Sequence, residues 1–224
     1  MNWKTAYRSF YYEDAPEPED LSLAPAETAV LCIDVQNYGL APKPTSEEQV
    51  RWTPFYQRMH ATVIPNLRAL QTTFRQHNID IVHARIACLL NDGRDRSLSQ
   101  KMPGWNNLLM PKSSEQSQII AELAPVADEI VVTKTTDSAL TGTNLRLVLG
   151  NMGIRNLIVT GIYTDQCVSS TVRSLADESF NVVLIEDCCA AGTDELHRRE
   201  LEIINMIYCH VLSSAELRTI MQLA

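Results

Sequence analysis

The sequence has no hydrophobic run long enough to span a membrane, and its first residues lack the apolar segment of a signal peptide. We therefore expect a cytoplasmic location and no membrane partner. The six cysteines show no C-x-x-C spacing. This pattern favours free thiols over a disulfide framework.

Positive charge is also scarce, because 19 lysines and arginines stand against 27 acidic residues, for a net charge of -8. Nucleic acids and anionic membranes select for concentrated positive charge, so a small-molecule substrate is favoured over either partner. With 224 residues and 45% hydrophobic content, the chain is long enough for one globular domain with a full-sized core.

The N-terminal residues differ from the rest of the chain. Residues 1–26 combine aromatic side chains with prolines and acids and show no helix or strand period. We predict an extended arm over 1–26, followed by a single domain over 27–224. The arm's aromatic residues either pack on the body of the chain or contact a second subunit, and the sequence favours neither.

Strand and helix patterns alternate through the domain, which is typical of βαβ units and a parallel sheet. Strands are predicted at 28–34, 79–84, 129–134, 156–162, 181–187 and 209–213. Helices are predicted at 47–60, 63–77, 141–152, 167–178 and 194–208, with a closing helix at the end. The fold class is therefore α/β, a three-layer α/β/α arrangement around one parallel sheet of about six strands. The pattern does not determine the strand order.

Cys167 stands out among the six cysteines because it follows a strand pattern that breaks at Gly161 and leads into a helix. Unpaired N–H groups and the macrodipole at a helix N-terminus stabilise a thiolate, which lowers the thiol pKa from about 8.5. We therefore predict a lowered pKa and a nucleophilic role for Cys167. Cys188 and Cys189 are expected to pack structurally.

Two further strand patterns end in groups that suit a nucleophilic cysteine. Asp34 ends the first strand and Lys134 ends the third. Ligands of parallel α/β sheets bind beyond the carboxyl ends of the strands, so these side chains and Cys167 can converge there. Taken separately, Asp34 also suits a turn cap, and Lys134 a solvated strand end paired with Asp137.

Together these residues resemble the isochorismatase-like cysteine hydrolases, which include nicotinamidases, N-carbamoylsarcosine amidases, ureidoacrylate amidohydrolases and biuret hydrolases. The resemblance covers nearly the whole domain. The matching segments are residues 33–37 (Ile-Asp-Val-Gln-Asn), Lys134 with 138–140 (Ser-Ala-Leu), 161–168 (Gly-Ile-Tyr-Thr-Asp-Gln-Cys-Val) and 186–188 (Glu-Asp-Cys).

The resemblance implies that Asp34, Lys134 and Cys167 form a catalytic triad and that the Ile162–Tyr163 peptide bond is cis. It further implies an oxyanion hole made by the N–H groups of Tyr163 and Cys167. The implied activity is hydrolysis of a C–N bond in a small amide, carbamoyl or ureido substrate through a thioester. A homo-oligomer, dimer or tetramer, is also implied.

A metal site is not expected. The nicotinamidase branch carries an Asp-x-His pair with a further histidine after the second strand, but residues 83–93 lack that spacing. His83 is alone on an apolar strand, whereas a zinc site needs three or four convergent ligands. We therefore expect no cofactor and interpret His83 as a core residue.

Two other functions stay open. Some isochorismatases lack the cysteine and cleave a vinyl ether with an aspartate, but the presence of Cys167 favours covalent acyl chemistry. Alternatively, Cys167 is the sensor thiol of a non-hydrolytic protein.

The substrate-binding candidates come from two regions. Just beyond Asp34 are Gln36, Asn37 and Tyr38, although Asn37 also suits a turn, and Ile162 adjoins Tyr163. A long loop over 88–112 is a candidate lid. It carries Arg94, Arg96 and Lys101 beside Trp105, and these cations either bind a substrate carboxylate or form a solvated basic loop.

Overall fold

The computed structural model describes residues 1–223, which form a six-stranded sheet, a separate two-stranded sheet and helices on both faces of the larger sheet. The strands are β1 Thr28–Ile33, β2 Asp80–Ile86, β3 Lys101–Met102, β4 Asn106–Asn107, β5 Ile130–Lys134, β6 Asn156–Ile162, β7 Asn181–Ala190 and β8 His210–Leu212. The α-helices are α1 Asn37–Leu40, α2 Ser46–Arg58, α3 Ile64–Gln76, α4 Leu145–Asn151, α5 Ser169–Asp177, α6 Asp194–Ile204 and α7 Ser214–Met221.

The large sheet has the order β5-β2-β1-β6-β7-β8, and its neighbouring strands are parallel. Every residue of β1 and β6 is buried, which suits their continuous apolar sequences to the sheet centre. The chain winds outward from β1 on one side and from β6 on the other. The strand order therefore reverses between β1 and β6, where a ligand crevice is expected at the carboxyl ends.

Helices cover both faces of this sheet, as the predicted three-layer arrangement requires. One core cluster contains Phe55 of α2, Leu67 of α3 and Leu217 of α7. The opposite cluster is built from α4, α5 and α6, with Val172 and Leu201 fully buried. The predicted α/β fold class is confirmed. Among residues 1–223, no helix combines the length and hydrophobicity needed to cross a membrane.

Several element boundaries differ from the prediction. A π-helical turn over Met59–Val63 joins α2 directly to α3, so the two predicted helices form one continuous helical run. The helix predicted from residue 141 begins only at Leu145, because Gly142 has a left-handed φ of +75° that interrupts a helix. Strand β7 continues to Ala190, which places Cys188 and Cys189 in the core.

The N-terminal arm packs partly on its own chain. Trp3 is buried, and its ring lies 5.3 Å from that of His210 in an edge contact. The backbone N–H of Trp3 also donates to the Glu216 carboxylate. Phe10 and Tyr11, by contrast, are 83% and 84% exposed. Trp3 thus packs on the body of the chain, while a subunit contact through the exposed pair and the boundary at residue 26 stay predictions.

Gly161 occupies a position of β6 that no other residue fits, because its φ is +117° and an added Cβ would lie 2.0 Å from the Ile33 carbonyl oxygen. We expect Gly161→Ala to lower the free energy of unfolding by about 3 kcal/mol or more, through backbone strain and displacement of β1. Urea unfolding measures this loss. The control is Gly150→Ala in α4, where an added Cβ meets nothing within 4 Å and the change should be about 1 kcal/mol or less. Equal stability of the two variants would contradict the expectation.

Candidate active site

Asp34, Lys134 and Cys167 lie together at the carboxyl edge of the sheet. Asp34 directly follows β1, Lys134 ends β5, and Cys167 lies in a π-helical turn, Thr164–Val168, after β6. The Lys134 Nζ is 2.7 Å from the Asp34 Oδ2 and donates to the Cys167 Sγ at 3.3 Å. One ammonium group therefore contacts both a carboxylate and a thiol.

The backbone at Asp34 is unusual, since its φ of +53° lies in the left-handed region. Aspartate tolerates this region better than most residues, but the conformation costs about 1 to 3 kcal/mol and is found mainly at functional sites. Two hydrogen bonds hold it, because the Asp34 N–H donates to the Ala84 carbonyl and the Gln36 N–H donates to the Asp34 carbonyl. The Asp34 side chain lines the cavity and contacts Lys134.

Lys134 is fully buried. Burial alone would lower its pKa, but the charge of Asp34, together with the contact to Cys167, outweighs that effect and raises the pKa above its ordinary value. The raised pKa favours the ammonium form of Lys134. A buried ammonium is costly unless it is paired, and the carboxylate of Asp34 provides that pairing.

The prediction of a lowered pKa at Cys167 is wrong in this structure. The thiol is only 7% exposed, and this burial, with the adjacent Asp34 carboxylate, raises its pKa well above the ordinary value. Burial also raises the pKa of Asp34, although the positive charge of Lys134 acts against this. The raised pKa of Cys167 favours the thiol over a preformed thiolate, and Lys134 contacts both this sulfur and the Asp34 carboxylate.

The turn that carries Cys167 begins after a cis peptide bond between Ile162 and Tyr163. A buried network supports this turn from behind. The Thr164 hydroxyl is 2.7 Å from His197 Nδ1, and Arg58 Nη2 is 2.8 Å from His197 Nε2. Burial lowers the pKa of His197, so its neutral ring accepts from Arg58 and donates to Thr164. This network therefore anchors the turn that carries Cys167.

A cavity of about 230 Å³ opens beside Cys167. Its lining includes both polar groups and aromatic rings. The lining residues are Asp34, Gln36, Tyr38, Gly39, Lys43, Trp52, Ile86, Gln100, Trp105, Asn106, Leu108, Met110, Asp137, Ile162, Tyr163, Gln166 and Cys167. The predicted candidates Gln36, Tyr38, Trp105 and Ile162 are thus among the lining residues, whereas Asn37, Arg94 and Arg96 are not.

Gln36 and Asn37 make contacts that fix the backbone. The Gln36 side-chain amide donates to the carbonyls of Ile86 and Ser117 and accepts from the Ile86 N–H, which uses both of its polar atoms. The Asn37 amide donates to the Glu115 carbonyl. These side chains tie the segment after β1 to the end of β2 and to residues 115–117.

The cations of the predicted lid bind within the lid itself. Arg94 pairs with Asp92 in solvent. Arg96 donates to the Gly93 and Gln100 carbonyls and to the Asn107 side chain. Lys101 donates to the Arg94 carbonyl. Their contacts hold the 88–112 segment in shape, and its two short strands, β3 and β4, give it more order than a loop.

The cavity also contains groups that the sequence did not single out as substrate contacts. Lys43 lies between α1 and α2, Trp52 is on α2, and Gln100 is part of the lid. Asp137 follows Lys134 by three residues, and its Oδ1 accepts from Gln100 at 2.8 Å and lies 3.8 Å from the Cys167 Sγ. The sequence indicates Asp137 only through its closeness to Lys134, and no sequence pattern indicates that Lys43 or Trp52 lines a cavity.

His83 lies in a structural ion network. Its Nε2 is 3.3 Å from Glu129 Oε2, and Glu129 also pairs with Arg75 at 2.7 Å. Within residues 1–223, no group of three or more His, Cys, Asp or Glu side chains is arranged to hold a metal ion. A metal-free reaction stays a prediction.

A parallel α/β sheet with cysteine, lysine and aspartate meeting at its switch point defines a hydrolase class, and the comparison with known families identifies it. The Isochorismatase domain matches residues 28–216. The chain therefore belongs to the isochorismatase family, and it is a hydrolase.

Individual relatives agree with this assignment. The ureidoacrylate amidohydrolase RutB of Acinetobacter baylyi is 30% identical over 206 residues, which cover 86% of this chain and 82% of that protein. A crystal structure of a cysteine hydrolase from Pseudomonas syringae pv. phaseolicola superposes with a TM-score of 0.77 at 22% identity, covering 92% and 98% of the two chains. The N-carbamoylsarcosine amidase from Thermoplasma acidophilum gives a TM-score of 0.65 at 21% identity, with coverage of 84% and 96%. These two structures share the fold.

Proposed function

We propose that this protein hydrolyses a C–N bond of a small amide, carbamoyl or ureido substrate through a thioester on Cys167. The supporting observation is the contact of one buried ammonium, Lys134, with both the Asp34 carboxylate and the Cys167 sulfur, beside a cavity of substrate size. A nucleophile, its base and a charge that orients both are the groups that nucleophilic catalysis needs.

The first half of the reaction begins with transfer of the thiol proton to Asp34. The sulfur then attacks the substrate carbonyl carbon, and a C–S bond forms. This transfer keeps the net charge of the three side chains constant, because Asp34 becomes neutral as Cys167 becomes negative. Lys134 remains an ammonium and stabilises the negative charge in either position.

The tetrahedral intermediate carries its charge on the former carbonyl oxygen. We assign its stabilisation to the N–H groups of Tyr163 and Cys167, in the turn that follows β6. Collapse of the intermediate breaks the C–N bond, and the proton held by Asp34 leaves with the departing nitrogen. Asp34 next takes a proton from a water molecule as its oxygen attacks the thioester carbonyl carbon. The C–S bond then breaks, the acid product leaves, and Asp34 returns the proton to the sulfur, which restores the thiol.

Ureido compounds are the preferred candidates within this substrate class. The relatives at about 30% identity are named ureidoacrylate amidohydrolases. Intact-mass spectrometry after a brief incubation with a mixture of amides and ureides tests the proposal. We expect a substrate-derived acyl or carbamoyl adduct on the wild-type protein, located at Cys167 by peptide mapping. Turnover with no adduct at any time point, and with full activity in a Cys167 variant, would rule out the covalent route.

The pH dependence of kcat/KM is a further prediction. Asp34 acts as a base only when it is deprotonated, so activity falls as the pH drops through its pKa. Burial raises that pKa above the ordinary value of 3.8, so the acid limb is expected at higher pH than for an exposed aspartate. A pH profile of kcat/KM from pH 4 to 9 measures it.

The matched variant is Asp34→Asn, because asparagine also tolerates the left-handed backbone at this position. Its residual activity should lack the acid limb. An identical limb in Asp34→Asn would assign the titration to another group and count against Asp34 as the base.

The homo-oligomeric state and the cytoplasmic location stay predictions from the sequence. Sedimentation velocity of the purified protein tests the first, and a dimer or tetramer is the expected result.

A further inference from the structure

Lys43 is the only positively charged residue among the described residues that line the cavity. It lies between α1 and α2, with its Nζ 4.2 Å from the ring centroid of Trp52 and 5.8 Å from that of Tyr38. The two aromatic rings hold the ammonium by cation–π contacts, which leave its N–H donors free for a ligand.

The Lys43 ammonium has no anionic partner in the protein. No described carboxylate lies within 4 Å of it, and Glu48 acts on it only at longer range. Burial lowers the pKa of Lys43, so the site bears a cost for keeping this cation at the cavity wall. The lid cations differ in this respect, since Arg94, Arg96 and Lys101 already bind groups within the lid.

Negative charge, in contrast, is concentrated at the reactive end of the cavity. Asp34 contacts Lys134 there, and Asp137 Oδ1 lies 3.8 Å from the Cys167 Sγ. An anionic group of the substrate is repelled from these carboxylates, and Lys43 is the unpaired cation left to attract it. The cavity lining thus combines acceptors for substrate N–H groups near the sulfur with one cation, Lys43, from the segment between α1 and α2.

We propose that the natural substrate carries a carboxylate and that Lys43 binds it, so that the scissile carbonyl is directed to Cys167. This inference rests on the proposed C–N hydrolysis and narrows its substrate class to ureido or carbamoyl acids. Lys43 is then the residue that distinguishes an acid from its neutral analogue.

Two probes of equal size test the proposal, 3-ureidopropionate and its neutral analogue 3-ureidopropanamide. We expect Lys43→Met to raise the KM for the acid about 10- to 100-fold, the range for loss of a charged hydrogen bond, with kcat within about threefold. The kinetics of the neutral amide should stay within about twofold of wild type. Lys43→Arg, which keeps the charge, should restore much of the preference for the acid.

Lys112→Met is the matched control, because Lys112 is an exposed lysine outside the cavity and its removal changes the net charge equally. Circular dichroism checks that each variant is folded. An equal loss on both probes, or an unchanged KM for the acid, would overturn the role of Lys43 while leaving the hydrolase proposal intact. Failure of the wild type to cleave any ureido acid or amide in a length series would overturn the proposed function and this inference with it.

Discussion

Replacement of Cys167 by alanine is expected to lower kcat by about 10⁴-fold or more, because the variant has no atom that can form the acyl intermediate. Loss of a covalent nucleophile is among the largest effects of a single substitution on an enzyme, and the remaining activity reflects binding and oxyanion stabilisation alone. The loss is measured as the steady-state rate of turnover of a ureido acid, with release of its amine as the readout.

Cys209→Ala is the matched control for that experiment. Cys209 is also a buried free thiol, but it packs beside α6 and its sulfur contacts the Ile204 carbonyl, away from the cavity. Its removal should cost about 1 kcal/mol of stability and leave kcat unchanged. Activity that survives in Cys167→Ala and not in an Asp34 variant would instead support aspartate-based ether cleavage, the alternative that the sequence leaves open.

The sequence predicts the fold well because its signals are local. The apolar runs of β1 and β6 are buried along their whole length; β6 ends at Ile162 as predicted, and β1 ends at Ile33, one residue before its predicted end. The carboxyl ends of parallel strands share one edge, so the meeting of Asp34, Lys134 and Cys167 follows from strand polarity alone. The strand order, which places β1 beside β6, depends on packing between distant segments and is not encoded in any single pattern.

Properties that depend on distant segments were less predictable. Burial raises the pKa of the Cys167 thiol. The sequence shows only that the cysteine lies near a helix start, a position that would lower the pKa. The position of Gln36 after Asp34 suits a ligand contact, but its side-chain amide donates to the carbonyl of Ser117, 81 residues further along. Arg96 likewise binds Asn107 instead of facing the cavity. The hydrogen-bond partners of such polar side chains are set by the folded structure and cannot be identified from local sequence.

The position of Lys43 in the cavity also could not be predicted from the sequence. The sequence offers the lid cations for a substrate carboxylate, with a solvated basic loop as the alternative, whereas the one cation among the described lining residues is Lys43, between α1 and α2. Nothing in the local pattern distinguishes Lys43 from a surface lysine. Its significance comes from Trp52, which lies nine residues away and holds the ammonium at the cavity wall.

Lys134→Met is expected to lower both stability and activity. The substitution keeps the side-chain volume but leaves the buried Asp34 carboxylate without its ammonium, and breaking a buried ion pair in this way costs about 3 to 5 kcal/mol. Activity should also fall by at least about 10³-fold, because the negative charge of the attacking sulfur loses its nearest stabilising cation. Urea unfolding and steady-state kinetics measure the two losses.

The double variant Lys134→Met with Asp34→Asn separates the two losses. It removes both charges, so no uncompensated ion remains in the core and much of the stability should return, since buried pairs contribute little net stability compared with neutral groups. Activity should not return, because neither the base nor the ammonium is present. If the double variant were as unstable as Lys134→Met, the cost would come from packing around residue 134 instead of from the unpaired carboxylate. Recovery of stability without turnover would show that the ion pair is retained in this core for its chemistry.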